Sequence, residues 1–92
     1  MKRGYARVST RRQDLALQLD ALKTAGCEKI YTDKLSGARA DRPQFTRCMG
    51  DLQTGDVPVV YSLSRAGRSL RHLLELVEEL RDRDVGFESL RE

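Results

Sequence analysis

Lys2-Arg3-Gly4-Tyr5-Ala6-Arg7-Val8-Ser9-Thr10 is the stretch from which both fold and chemistry are read. Residues 2–8 read as a strand that ends in a serine, with an arginine two positions before it. Alternation along a strand puts Tyr5, Arg7 and Ser9 on one face. An arginine on the inward line of a central strand is costly unless it meets an anion. A serine hydroxyl beside permanent cations points to attack on a phosphate. The hydroxyl is the nucleophile, and guanidinium groups hold the developing negative charge. Two plainer readings stand beside this one. Ser9 at a strand-to-helix turn also suits a helix N-cap, and the anion that Arg7 meets also fits a structural carboxylate such as Asp33.

Outward from this strand, apolar periodicity sets the other elements. Leu15, Leu19 and Leu22 recur at i, i+4 and i+7 and predict a helix. Thr10 and Gln13 have capping-box spacing, Asp14 is an equal candidate cap, and Gly26 fits the stop. Glu28 to Thr32 reads as a second strand and Asp33 to Arg42 as a loop. Pro43 suits a first helical turn, followed by the stripe Phe45, Cys48, Met49 and Leu52, with Gly55-Asp56 closing the helix. Val57 to Leu63 reads as a third strand. Its continuous Val59-Val60-Tyr61 centre implies cover on both faces, and Pro58 is tolerable only near its start. Ser69 caps a third helix with the stripe Leu70, Leu73, Leu74, Val77 and Leu80. Val85 to Leu90 is a short fourth strand. The order β-α-β-α-β-α-β predicts an α/β fold: an open, mostly parallel four-stranded sheet, order 2-1-3-4, with helices on both faces.

That layout places chemistry. Ligands of open α/β sheets bind beyond the carboxyl ends of the strands, where strand order reverses. With order 2-1-3-4 the reversal lies between strands one and three. Ser9 leaves strand one at that edge. Ser62-Leu63-Ser64-Arg65-Ala66-Gly67-Arg68-Ser69 leaves strand three there. Arg65 and Arg68, three apart at the mouth of a helix, suit a shared phosphate; as an isolated feature they are a solvated basic loop. Asp33, Ser36 and Arg42 follow strand two on the same side. Gln13 and Gln18 are weaker candidates, the first also a cap and the second also a surface residue.

Composition narrows the classes. Ninety-two residues make one small domain. Lys and Arg number 17 against 14 Asp and Glu, for a net charge of +3. Arginine far outnumbers lysine, which suits bidentate phosphate contacts but also follows from a GC-rich coding sequence. Few aromatics and no Trp argue against stacking platforms for single strands. Cys27 and Cys48 lack metal-like spacing and read as small buried hydrophobes. No apolar run approaches a membrane span, and no signal-peptide pattern opens the chain, so a cytoplasmic protein without membrane contact is expected. No Ser-His-Asp set, His/Cys metal cluster or P-loop is present. Phosphoryl transfer without metal, nucleotide or other cofactor is what remains.

Several spaced motifs together resemble the catalytic domain of the serine site-specific recombinases, the resolvase/invertase family. They are Gly4-Tyr5-Ala6-Arg7-Val8-Ser9-Thr10, Gln18 with Leu19 to Gly26, Thr32-Asp33-Lys34 with Ser36-Gly37, Asp41-Arg42-Pro43, and Leu63-Ser64-Arg65-Ala66-Gly67-Arg68-Ser69-Leu70. The resemblance implies that Ser9 attacks a phosphodiester of double-stranded DNA. It forms a 5′-phosphoseryl link, releases a 3′ hydroxyl and rejoins strands within a tetramer, without metal or ATP. It implies phosphate contacts from Arg7, Arg65, Arg68 and Arg42, with Tyr5, Gln13, Gln18, Asp33, Ser36 and Ser64 supporting them. Two departures carry expectations. Ser64 stands where the family usually has aspartate. The chain, 1–92, also ends before the family's dimer helix and DNA-binding domain, so the fragment alone is expected to be inactive. The competing reading is a degenerate, non-catalytic DNA- or protein-binding module of the same fold. A small phosphate-ester enzyme on a flavodoxin-like fold is a further competitor, by fold analogy alone.

Overall fold

β1 (Lys2–Val8) lies second in a four-stranded sheet, in a computed structural model that describes residues 1–8, 12–34, 42–62 and 70–91, with Leu70 as backbone only. β2 (Lys29–Lys34) runs along one edge of β1 and β3 (Val57–Val60) along the other, and β4 (Glu88–Ser89) pairs with β3. All three pairings are parallel, in the order β2-β1-β3-β4 expected from the sequence. Helices α1 (Arg12–Thr24), α2 (Pro43–Asp51) and α3 (Leu70–Asp82) alternate with the strands.

Local chemistry sets the boundaries. α1 stops where Gly26 takes φ 94°, a left-handed value that costs glycine little. Pro43 opens α2, where its missing N–H has no helical partner to lose. α2 ends at Asp51, because Leu52 turns extended with ψ 134°. It therefore closes ahead of Gly55-Asp56, contrary to expectation, and those residues shape the following turn. β3 also stops earlier than expected, at Val60 rather than Leu63. Pro58 is its second residue. Val57 N–H bonds Met1 O on the β1 side, so Pro58's nitrogen faces away from β1, towards the side where β4 has yet to begin. β4 likewise shrinks to Glu88–Ser89 from the six residues Val85 to Leu90.

The pleat divides the core in two. Ala6, Val8 and Val59 face α1 and pack with Leu22. Tyr5, Tyr31 and Val60 face the other way, against Phe45, Cys48 and Leu52 of the α2 region and Leu76 and Leu80 of α3. Cover on both sides is why consecutive residues Tyr5 and Ala6 are both fully buried. Cys48 is buried among these groups, and desolvation pushes its thiol up to about 12. Cys27 is partly buried, and both cysteines are free.

α3 departs from the expected stripe. Leu76 is buried at 5% exposure, whereas Leu74 and Val77 stand 57% and 45% exposed. The helix carries apolar residues around more than one face, and among its described side chains the Leu73, Leu76, Leu80 line packs into the core. In α1, Leu22 is buried as expected, but so is Gln18, with no exposed surface.

Gly4 is needed for its absent side chain. A Cβ there would lie 3.0 Å from Cys27 Sγ and 3.3 Å from Leu22 Cδ1. Gly4→Ala is expected to destabilise the domain by about 1–2 kcal/mol in urea unfolding, through overpacking. Adding Cys27→Ala should recover part of that loss; a double variant no better than the single one would show that Cys27 is not the obstacle.

At the amino ends of the strands, Asp56 gathers three donors. It accepts from Gln53 N–H at 3.0 Å, Arg3 Nε at 3.0 Å and the Met1 ammonium at 3.2 Å. The Gln53 N–H first, then the Arg3 guanidinium, hold its carboxyl down at about 2. Its folded pKa lies below the unfolded carboxylate value of about 3.9. The stability it contributes is complete above that value and is lost as pH falls from about 4 towards about 2. Asp56→Asn should flatten the pH dependence of the urea midpoint across that window. An unchanged slope would assign the acid limb to other carboxylates.

Candidate functional site

β1 outruns β3. Their register ends at Tyr5 opposite Val60, so Ala6, Arg7 and Val8 extend past the end of β3 along that edge. This is the reversal point in strand order. Odd-numbered carbonyls of β1 face β3, as Met1 O does towards Val57 N–H. Arg7 O therefore points where β3 has ended, and a partly buried carbonyl there needs another donor. Gln18 supplies it: Nε2 donates to Arg7 O at 3.1 Å and to Asp14 Oδ1 at 3.0 Å. Gln18 is thus no surface residue but a prop beneath the last turn of β1. Its buried Oε1 has no partner among the described residues.

On the opposite face of β1, Asp33 organises the edge. It was expected at the start of a loop, but it is the penultimate residue of β2, in register with Arg7 and only 6% exposed. Its carboxylate accepts from Tyr5 Oη at 2.9 Å, Gln44 N–H at 3.1 Å and Phe45 N–H at 2.9 Å. The last two are free donors of the first turn of α2. Arg42, in the N-cap position, makes no side-chain cap bond. Asp33 therefore caps α2 from the neighbouring strand and welds β2, β1 and α2 together.

Burial, then the hydrogen bond to Asp33, pushes the Tyr5 phenol well above its ordinary range. The positive charges of Arg42 and Arg7 pull it the other way. Arg42 lies over the Phe45 ring, 4.0 Å from its centroid, and Phe45 meets Tyr5 edge-on at 4.9 Å and 72°. Tyr5, Arg7, Asp33 and Arg42 are thereby brought to one edge, at the carboxyl ends of β1 and β2. Gln13 is exposed on the first turn of α1.

Ser9, Ser36, Ser64, Arg65 and Arg68 lie outside the described residues. Val8, the last residue of β1, is the chain neighbour of Ser9. Phe45 was read from the sequence only as part of an apolar stripe. Its spacing from Arg42, three residues across a helix start, was the signal for a stacked pair. Among the described residues no group of His, Cys, Asp and Glu is arranged to hold a metal ion, and no helix is long and apolar enough to cross a membrane.

Comparison with known proteins places this chain in a family. The family model described as "Resolvase, N terminal domain" matches residues 3–92. A DNA-invertase of Escherichia phage P1 is 55% identical over 87 residues, covering 95% of this chain and 47% of the relative. The serine recombinase gin of Escherichia phage Mu is also 55% identical over 87 residues, covering 95% of this chain and 45% of the relative. The transposon Tn917 resolvase of Enterococcus faecalis is 45% identical over 89 residues, with 97% and 48% covered. The chain spans about half the length of these relatives.

Proposed function

We propose, for a chain that belongs to the resolvase N-terminal domain family, that it is the catalytic domain of a site-specific recombinase of double-stranded DNA. The Ser9 hydroxyl attacks the scissile phosphorus, the bond from phosphorus to the 3′ oxygen breaks, and a 5′-phosphoseryl ester forms. The proton lost by Ser9 is balanced by the one gained by the departing 3′ oxygen. One phosphodiester is exchanged for another, so attack by a new 3′ hydroxyl reverses the step without ATP. The observation that carries this reading is the set of contacts at the carboxyl ends of β1 and β2, where Arg7 lies in register with Asp33 and Arg42 stacks on the Phe45 ring that meets Tyr5, on the strand that leads into Ser9.

Each residue then has a part. Arg7, Arg42, Arg65 and Arg68 bind the phosphate and hold charge that grows in the transition state. Tyr5 and Asp33 fix the α2 side of the site, and Gln18 fixes the end of β1 through Arg7 O. Gln13, Ser36 and Ser64 complete the surround. The relatives' names, DNA-invertase and resolvase, support DNA as the substrate. The working protein self-associates to bring two DNA sites together, and it acts in the cytoplasm.

The test is to trap and map the covalent link. A full-length recombinase carrying this domain is incubated with DNA containing its site, quenched and digested. The nucleotide-bearing peptide is expected to carry its adduct on Ser9. An adduct on any other residue, or cleavage with no adduct, overturns the proposal.

A further inference from the structure

Arg42 precedes α2 by one residue, and its guanidinium carbon lies 4.0 Å from the Phe45 ring centroid. Phe45 is itself held on several sides. Its N–H is bound to Asp33 at 2.9 Å, its ring rests edge-on against Tyr5, and it is only 8% exposed. A long arginine side chain loses much of its rotamer freedom when held in one pose. A fixed aromatic face offsets part of that before any ligand arrives.

We propose that Phe45 is a positioning residue for Arg42. It holds the guanidinium over its ring at the carboxyl edge of the sheet, ready for a phosphodiester oxygen. This rests on Arg42 contacting phosphate, as read above. Phe45 acts through the arginine and touches no reacting atom itself. The plainer role for Phe45, filling the core below Tyr5, is separable from this one. Leucine fills much the same space and presents no π face.

The test is a double-mutant cycle on covalent adduct formation by the full-length recombinase. Phe45→Leu should slow the adduct on the order of fivefold to tenfold, with site-DNA binding held. Phe45→Tyr, which keeps the ring, should recover most of that rate. Phe45→Leu added to Arg42→Ala should slow it no further, since the arginine through which Phe45 acts is gone. Undiminished rate in Phe45→Leu, or a full further loss on top of Arg42→Ala, overturns the inference. An Arg42→Ala protein as fast as its parent overturns the assignment of Arg42 instead, and the inference with it. A second readout needs no activity. In the 92-residue chain, the Arg42 side-chain proton signals should be shifted upfield by the ring and return to ordinary positions in Phe45→Leu. Unshifted signals in the unmodified chain also overturn the inference.

Discussion

Ser9→Ala in a full-length recombinase carrying this domain should abolish the covalent DNA adduct and lower strand cleavage by at least about a thousandfold. Alanine removes the only atom of this side chain able to attack phosphorus. Water cannot replace it without consequence, because hydrolysis would leave a free phosphate end that cannot be rejoined. Any residual cleavage should therefore be irreversible as well as slow. DNA binding should change little, since the hydroxyl is neutral and phosphate affinity rests on the arginines. Arg7→Ala is the companion experiment. It should preserve the chemistry on Ser9 and slow it by a smaller factor, on the order of a hundredfold. An adduct that survives Ser9→Ala would return Ser9 to the role of a helix N-cap and assign the attack to another nucleophile.

The largest expected loss of stability is at Asp33. Asp33→Ala strips the first turn of α2 of its cap and leaves the buried Tyr5 hydroxyl without an acceptor. A lost cap costs about 1 kcal/mol, and an orphaned buried hydroxyl a further 1–3 kcal/mol, for a total of about 2–4 kcal/mol. In a domain of this size that lowers the melting temperature by roughly 10–30 °C. Asp33→Asn should lose less, because its carbonyl oxygen still accepts. Tyr5→Phe should lose less again, because α2 keeps its cap. Urea unfolding of the three variants gives the order directly. If Asp33→Ala lies within about 0.5 kcal/mol of the parent chain, the carboxylate does not hold α2 to the sheet.

The fold was largely legible because its elements announce themselves locally. Pro43 marks a helix start, Gly26 a helix stop, and the apolar Val59-Val60 run a strand covered on both faces. Alternation also put Tyr5 and Arg7 on one face, and in the structure Tyr5 bonds Asp33 while Arg7 lies in register with it. What misled was any choice among equivalent local options. α3 offers apolar residues on more than one side, and nothing within the helix says that Leu76 goes in while Leu74 and Val77 stay out. Gln18 reads as surface because a glutamine gives no sign that a strand elsewhere will end short. Asp33 reads as a loop residue because turn-forming side chains follow it.

By itself, the sequence determined the element order, the parallel sheet and the segments that feed its carboxyl edge, since each follows from periodicity and chain connectivity. Only the tertiary structure decided which polar groups those elements would satisfy in one another. Arg7 O takes Gln18 because β3 stops beside Tyr5, and the head of α2 takes Asp33 because β2 ends beneath it. Both are backbone groups left without a ladder or helix partner where one element ends, and each is satisfied by whichever side chain packing brings within reach.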